Sequence, residues 1–163
     1  MKQGSYQTIK IDSKDRVLSL TLNRPNQLNA VNEVMHEELS RIFSDAARDP
    51  ETDIIVLTGA GRAFCAGGDI DWMQDAIDNP LSFERTAVEG KQIIFSLLDC
   101  EKPIVAKVNG PAVGLGATLA LFCDIIFASE DAKFADPHIR VGLVAGDGGA
   151  VIWPQLIGYA RAK

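Results

Sequence analysis

The chain of 163 residues is 47% apolar and 23% charged, a balance typical of globular proteins that excludes a disordered chain, a collagen-like repeat and a coiled coil. Its net charge of −6 argues against a nucleic-acid partner, because a polyanion would be repelled. The longest apolar stretch, residues 111–123, is too short to span a bilayer, and residues 1–5 lack the apolar core of a signal peptide, so we expect a cytoplasmic protein without a membrane partner.

The N-terminal third of the chain predicts a hairpin followed by a helix. Apolar residues alternate over 6–11 and again over 16–22, with a polar turn at 12–15 between them, as in a β-hairpin. Over residues 29–48 the apolar residues recur at spacings of three and four, which indicates an amphipathic helix. We expect Asn32 to cap this helix and His36 to lie on its exposed surface.

The remaining two thirds alternate between strands and helices. Three short apolar runs predict buried parallel strands: 53–58, 104–108 and 124–128. The helical segments predicted between and after them are 69–98, broken near residues 79–80, then 117–123 and 148–158. This order predicts a single α/β domain over residues 1–163 with a largely parallel sheet.

Two of the predicted strands end in a glycine-rich loop, 59–68 and 114–116, that leads into a helix. Ligands of α/β folds bind at such strand ends. The first loop approaches a dinucleotide-binding fingerprint, but Phe64 stands where a small residue is needed, which disfavours a nicotinamide site. Two such loops can instead present two backbone N–H groups to one point and form an oxyanion hole. The alternative is that the glycines only make turns.

The segments around these loops are similar to those of a known family. Residues 61–70, Gly-Arg-Ala-Phe-Cys-Ala-Gly-Gly-Asp-Ile, resemble the first signature of the crotonase superfamily, also called the enoyl-CoA hydratase/isomerase family. Residues 102–125 resemble the second, and 23–30 and 132–149 match as well. The resemblance implies a crotonase-like (ClpP/crotonase) spiral of ββα units. Family members continue into further helices, so we expect a core truncated before the C-terminal helical region.

The resemblance also implies an enzyme of fatty acid metabolism that binds an acyl-CoA thioester. The enolate of the thioester would be stabilised by the N–H groups of Gly68 and Leu115. The residues that the resemblance places at substrate and coenzyme A are Arg24, Leu28, Ala30, Ala66, Gly68, Asp69, Ile70, Leu115 and Thr118. Coenzyme A is part of the substrate, so no cofactor and no metal is implied. The resemblance also implies a homotrimer, or a hexamer of two trimers, if the C-terminal region is present.

Two of these positions have an alternative role. Arg24 is expected to contact a phosphate of coenzyme A, or else to be a solvated arginine in a turn at a strand end. Asp69, like Asp124, is expected to cap or brace a loop rather than to take part in chemistry.

The two glutamates with which hydratases of this family add water are both missing. Thr118 and His138 stand at the positions where they are expected. Because a histidine titrates near neutral pH, we predict that His138 moves the proton and that Asp147 is its partner. The alternatives are that His138 only lines the acyl pocket and that Asp147 only caps the helix after it.

Three functions therefore remain open. The main one is an enzyme of the hydratase/isomerase type, a lyase or isomerase. The second is a carbon–carbon bond hydrolase using His138 and Asp147, because these residues and the following Trp153-Pro154 also resemble the β-diketone hydrolases of the superfamily. The third is a non-catalytic member that binds acyl-CoA.

The cysteines are predicted to be reduced thiols without a catalytic role. Cys65, Cys100 and Cys123 are odd in number and lie among apolar residues. Cys65 is next to the first glycine loop, but no neighbour in sequence would lower its pKa, so we do not expect a nucleophile there.

Overall fold

The structure is a computed structural model that describes residues 4–163, apart from the side chains of residues 82 and 83. Residues 1–3, which belong to the N-terminal segment compared with signal peptides, lie outside the described residues. Strands β1 (Ile9–Lys14) and β2 (Val17–Leu22) form the predicted hairpin. The predicted position of its turn was wrong. The turn is Asp15-Arg16, with φ of 51° and 65°, the left-handed pair that matches strand twist. Residues 12–14 belong to β1, but they are polar on both faces and therefore resemble a turn.

The main sheet has five strands in the order β1-β2-β3-β4-β6. Strands β3 (Ile54–Gly59), β4 (Ile104–Val108) and β6 (Ile125–Ala128) follow β2 in parallel, which confirms the largely parallel α/β sheet. One face of the central strands carries the core, with the buried side chains Leu18, Leu20, Leu22, Ile55, Leu57, Ile104, Ala106 and Val108. All four residues of β6 are exposed.

A second, smaller ladder was not predicted. Strands β5 (Ala112–Val113) and β7 (Phe134–Ala135) pair in parallel. Isolated bridges between Val31 and Gly68 and between Cys65 and Ala112 extend the ladder on the other side of β5. Segments of two residues carry no alternation that a sequence pattern could reveal. This ladder fixes both glycine-rich loops against each other.

The helices follow the predicted order, except that a short helix at Tyr159–Ala162 was not predicted. The first helix, α1 (Glu33–Arg48), begins after Asn32, whose side chain accepts a 3.1 Å hydrogen bond from the Met35 N–H, so the predicted cap is confirmed. The later helices are α2 (Ile70–Asp78), α3 (Pro80–Leu98), α4 (Leu115–Leu121), α5 (Gly149–Ile157) and α6 (Tyr159–Ala162). The predicted break at residues 79–80 is therefore confirmed. Within the described residues, no helix has both the length and the apolar character to cross a bilayer.

The prediction that His36 is exposed was wrong. Its side chain is 6% exposed, and Nδ1 lies 2.9 Å from Oε2 of Glu89 in α3. The ring packs against Trp72 of α2 with 5.1 Å between ring centroids. His36 therefore joins α1, α2 and α3.

Candidate active site

The two glycine-rich loops are in direct contact at Gly67 and Gly114. A Cβ built on Gly114 would lie 3.8 Å from Cα of Gly67, and one built on Gly67 would lie 2.9 Å from the carbonyl oxygen of Val113. Both residues have positive φ, 91° and 53°, which a side chain would strain. The Val113 N–H donates a 2.9 Å hydrogen bond to the carbonyl of Cys65, which ties one loop to the other.

The backbone N–H groups that follow these two glycines belong to Gly68 and Leu115. Among the hydrogen bonds of the described residues, neither N–H is a donor. The backbone of Val31 donates a hydrogen bond to the carbonyl of Gly67 and accepts one from the N–H of Asp69, so these bonds leave the N–H of Gly68 without an acceptor. Leu115 is the first residue of α4, where an N–H has no acceptor within the helix. Two uncommitted donors on adjoining loops are what an oxyanion hole requires.

The structure brings His138 to the second of these loops. His138 follows β7, and the Gly114 N–H donates a 2.9 Å hydrogen bond to the carbonyl of Ala135 at the end of that strand. A Cβ on Gly114 would lie 3.7 Å from Cε1 and 3.9 Å from Nε2 of His138. The imidazole is 17% exposed. Its Cε1–Nε2 edge therefore borders the loop that carries the Leu115 N–H.

The imidazole of His138 stands between two carboxylates. Nδ1 forms a hydrogen bond with Oδ1 of Asp136, and on the other side Nε2 lies 3.3 Å from Oδ2 of Asp147. The predicted proximity of His138 and Asp147 is thus present, but Asp136 was missed. The sequence did contain a signal for Asp136, because the side chain of an aspartate often accepts a hydrogen bond from the backbone N–H of the second residue after it. Here the backbone nitrogen of His138 lies 3.4 Å from Oδ1 of Asp136.

The two carboxylate oxygens of Asp147 have different surroundings. Oδ1 accepts hydrogen bonds from the hydroxyl of Thr118 at 3.1 Å and from the N–H of Gly149 at 3.2 Å. The second bond braces the start of α5, although the cap position itself is Gly148. Oδ2 is buried and has no hydrogen-bond donor in the described part of the chain. The helix-bracing alternative and the contact with His138 therefore coexist.

The three polar groups of this cluster lie close enough to be considered as metal ligands. Asp136, His138 and Asp147 each offer one possible ligand atom, and these three atoms lie within 4.8 Å of one another. However, the imidazole turns Nδ1 to one carboxylate and Nε2 to the other. Atoms so arranged suit the exchange of a proton along the cluster better than convergence on one ion.

The predicted coenzyme A residues also come together, around an ion pair. NH1 of Arg24 donates to Oδ2 of Asp69 at 2.9 Å and to the carbonyl of Ala30. The Arg24 side chain is only 18% exposed, so the alternative of a solvated arginine was wrong. The carbonyl of Leu28 accepts a 3.0 Å hydrogen bond from the N–H of Ala66, which closes the same group of segments. A phosphate contact by Arg24 stays a prediction.

Asp69 has the bracing role expected of it. It is the N-cap of α2, where its Oδ1 accepts a 3.2 Å hydrogen bond from the Asp71 N–H. The next residue, Ile70, is 65% exposed and offers an apolar surface beside the ion pair. Asp124 is similar, since its Oδ2 accepts from the Ile104 N–H at 2.8 Å.

An apolar cavity of about 550 Å³ opens on the side of the imidazole that faces Asp136. It reaches from the 3₁₀ turn His138–Val141 to α5 and α6. Its apolar walls include Leu143, Val144, Trp153 and Pro154. A cavity of this kind accommodates an apolar group next to the polar cluster.

Cys65 lies in the first glycine loop, in an environment that makes its thiol unreactive. It is a free, buried thiol, and burial raises its pKa to about 11. The thiolate is the reactive form of cysteine, so this environment opposes nucleophilic chemistry.

Comparison with known proteins identifies the family. The model described as Enoyl-CoA hydratase/isomerase matches residues 12–163. The 1,2-epoxyphenylacetyl-CoA isomerase of Escherichia coli (strain K12) is 40% identical over 90% of this chain and 56% of its own length. A probable enoyl-CoA hydratase of Rhizobium meliloti (strain 1021) is 39% identical over 97% of this chain and 60% of its own length.

A solved structure gives the same result. The crystal structure of an enoyl-CoA hydratase/isomerase from Mycobacterium paratuberculosis superposes with a TM-score of 0.94 at 41% identity, over 97% of this chain and 64% of that one. The crotonase-like fold is thereby confirmed. The chain spans 56% to 64% of the length of these three proteins. This chain belongs to the enoyl-CoA hydratase/isomerase family.

Proposed function

We propose that this site binds an acyl-CoA thioester and stabilises its enolate, as an enzyme of the hydratase/isomerase type. The observation that carries the proposal is the contact between the two glycine loops, with the uncommitted N–H groups of Gly68 and Leu115 directly after it. Negative charge develops on the thioester oxygen when the α carbon loses a proton. One donor aimed at such an oxygen contributes about 3 kcal/mol to the transition state.

In this proposal His138 moves the proton. Its Nε2 edge borders the second glycine loop, so a thioester held at the Leu115 N–H lies next to it. Nε2 takes the proton from the α carbon and returns it to the substrate, while Asp147 Oδ2, 3.3 Å away, stabilises the protonated ring.

Among the reactions of the family we propose isomerisation rather than hydration. Isomerisation moves one proton between two carbons, for which one acid/base group is sufficient. Thr118, at one of the missing glutamate positions, is fully buried and gives its hydroxyl to Asp147. It is therefore not placed to hold a water molecule. The relative from Escherichia coli, 40% identical, is named an isomerase.

The carbon–carbon bond hydrolase remains the second candidate. The same contact between His138 and Asp147 favours it, because a histidine next to a carboxylate can activate water for attack on a β-diketone. The two candidates differ in their products, since only the hydrolase shortens the carbon skeleton.

The test is exchange of the α proton of a saturated acyl-CoA in deuterated water, followed by mass spectrometry. Removal of the α proton to form the enolate incorporates deuterium, whether isomerisation or hydration follows. His138→Ala should lower the exchange rate by at least about 100-fold, while the dissociation constant of acyl-CoA changes by less than about threefold. Asp12→Asn, which changes an exposed carboxylate of β1, is the control and should leave both unchanged.

The outcomes separate the alternatives. No exchange by the unmodified protein, despite acyl-CoA binding, would contradict the proposal. Cleavage of a β-diketone would then identify the hydrolase, and no reaction with either substrate would favour the non-catalytic member. Exchange that survives in His138→Ala would contradict the role of His138. Incubation with enoyl-CoA and β-diketone substrates then distinguishes double-bond migration from cleavage.

We also infer that the chain associates into homotrimers or hexamers. Support comes from exposed apolar side chains on the edge strand and on α5, namely Ile125, Ile126, Phe127, Val151, Leu156 and Ile157. Large exposed apolar areas mark interaction surfaces. Light scattering over a range of concentrations tests the inference, and a monomer at every concentration would contradict it.

A further inference from the structure

We propose that Asp136 is the positioning residue of this site, which holds the imidazole of His138 in one orientation and one tautomer. The proposal rests on the proton-transfer role given to His138 above. Asp136 itself touches no reacting atom in this scheme. Its effect is to decide which ring nitrogen is free for the substrate.

The carboxylate of Asp136 stands on a rigid support. Asp136 directly follows β7, whose Phe134 and Ala135 pair with Ala112 and Val113 of β5. The same strand end accepts the hydrogen bond from the Gly114 N–H. The Asp136 carboxylate is therefore fixed relative to the second glycine loop, and its side chain is only 17% exposed.

The hydrogen bond to Asp136 determines the tautomer of His138. An ionised carboxylate can only accept, so Nδ1 carries the hydrogen in the bond to Asp136 Oδ1. The carboxylate of Asp147 would favour hydrogen on Nε2 by the same reasoning, but its Oδ2 lies 3.3 Å from Nε2 and has no hydrogen-bond partner among the described residues, so the bond to Asp136 determines the neutral form. Nε2 then has the lone pair, at the ring edge that borders the glycine loop. The proton removed from the substrate forms a bond to Nε2, and the electron pair of the broken C–H bond remains on the substrate as the enolate.

Gly149 provides the space that Asp136 occupies. A Cβ at Gly149 would lie 2.2 Å from Oδ2 of Asp136, much closer than any real contact. Gly149 begins α5, where glycine is less favourable than alanine by about 1 kcal/mol. Its φ is not in the left-handed region, so the requirement for glycine is one of space. An alanine here would push the Asp136 carboxylate away without changing its charge.

The tautomer can be observed directly, because the chain has only two histidines. Ring ¹⁵N chemical shifts of His138 should show hydrogen on Nδ1 alone in the neutral form. In Asp136→Asn the amide can donate as well as accept, so a mixture of tautomers should appear. The resonances of His36, buried against Glu89 and Trp72, report that the variant is folded.

Kinetics provide the second readout. Asp136→Asn should lower kcat for α-proton exchange by about 100-fold or more and change KM by less than about threefold, because a wrong tautomer affects chemistry and not binding. Gly149→Ala should lower kcat by about 10-fold through displacement of the carboxylate. Gly146→Ala is the matched control, since a Cβ there meets its nearest neighbour, Val144, at an ordinary 3.6 Å.

The failures of the two proposals are distinguishable. If the unmodified protein exchanges no α proton, the proposed function fails, yet the ¹⁵N spectra still test Asp136. If Asp136→Asn keeps the single Nδ1–H tautomer, or if kcat is unchanged in an active and folded variant, the positioning role is overturned.

Discussion

The hydroxyl of Thr118 donates a 3.1 Å hydrogen bond to Oδ1 of Asp147 and thereby joins α4 to the loop before α5. Thr118 is fully buried, so no water competes for this bond. The carboxylate is held from the side opposite to His138, which leaves Oδ2 turned toward the imidazole. At this position the resemblance predicts a glutamate of the hydratases, whereas Thr118 here orients an aspartate.

Replacement of Thr118 by Val removes this donor and keeps the shape of the side chain. Oδ1 of Asp147 then retains only the Gly149 N–H. A hydrogen bond to a charged group contributes about 1.5–3 kcal/mol, so we expect about 10-fold or more slower α-proton exchange and a lower free energy of unfolding. Urea unfolding and deuterium exchange measure the two effects. Thr118→Ser keeps the hydroxyl and should stay close to the unmodified protein; equal losses in both variants would show that packing, not the hydrogen bond, matters.

The site was predictable where it lies on regular elements or long motifs. Two strands that each lead into a glycine loop and a helix indicated an oxyanion hole, and the resemblance to the family assigned it to Gly68 and Leu115. His138 was singled out because the resemblance places a glutamate of the hydratases at its position. Asp136 was missed because its role depends on a ladder of two-residue strands, which leaves no periodic pattern in the sequence. A short-range rule would have identified it, namely that an aspartate side chain often accepts a hydrogen bond from the backbone N–H two residues later.

The error on His36 has a different cause. Leu39 and Phe43, three and seven residues later, are fully buried, so helical periodicity places His36 on the apolar face. The prediction weighed the polar character of histidine above its position in the period. Its partner Glu89 lies 53 residues away, and no local pattern connects them.

The Arg24–Asp69 ion pair should hold the predicted coenzyme A segments together. Arg24→Met leaves Asp69 partly buried without its 2.9 Å partner and frees the carbonyl of Ala30. We expect a loss of about 2 kcal/mol in the free energy of unfolding and weaker acyl-CoA binding, because a charged hydrogen bond is lost. Calorimetry of binding and urea unfolding test this. Arg48→Met, at the exposed end of α1, is the control, and equal behaviour of the two variants would argue against the pair.

The cysteines should differ in their reaction with alkylating reagents. Burial raises the pKa of Cys65 to about 11 and that of Cys123 to about 12. At about pH 8 only about one Cys65 in a thousand is a thiolate, and access is blocked as well. We expect labelling of the folded protein at the half-buried Cys100 first and of all three after unfolding. Peptide mass spectrometry locates the label, and fast labelling of Cys65 in the folded state would contradict the buried environment.

The stability of the fold should depend on pH through His36. Burial lowers the pKa of His36 below 6.5, and the hydrogen bond and charge of Glu89 only partly oppose this. Arg85 pairs with the same Glu89 at 2.6 Å, and Trp72 covers the ring. The folded state therefore favours the neutral ring, whereas the unfolded chain takes up a proton near pH 6.5.

The contribution of the neutral His36 ring to the free energy of unfolding is therefore complete above pH 6.5. It is lost as the pH falls from 6.5 toward the lower pKa that His36 has in the folded state. The slope from this one group is at most about 1.4 kcal/mol per pH unit. His36→Gln, which can still donate to Glu89 but takes up no proton, should unfold in urea with a correspondingly weaker dependence on pH. Subtraction of the two curves removes every group that both proteins share, including His138. Parallel curves below pH 6.5 would mean that the His36 ring does not stay neutral in the fold.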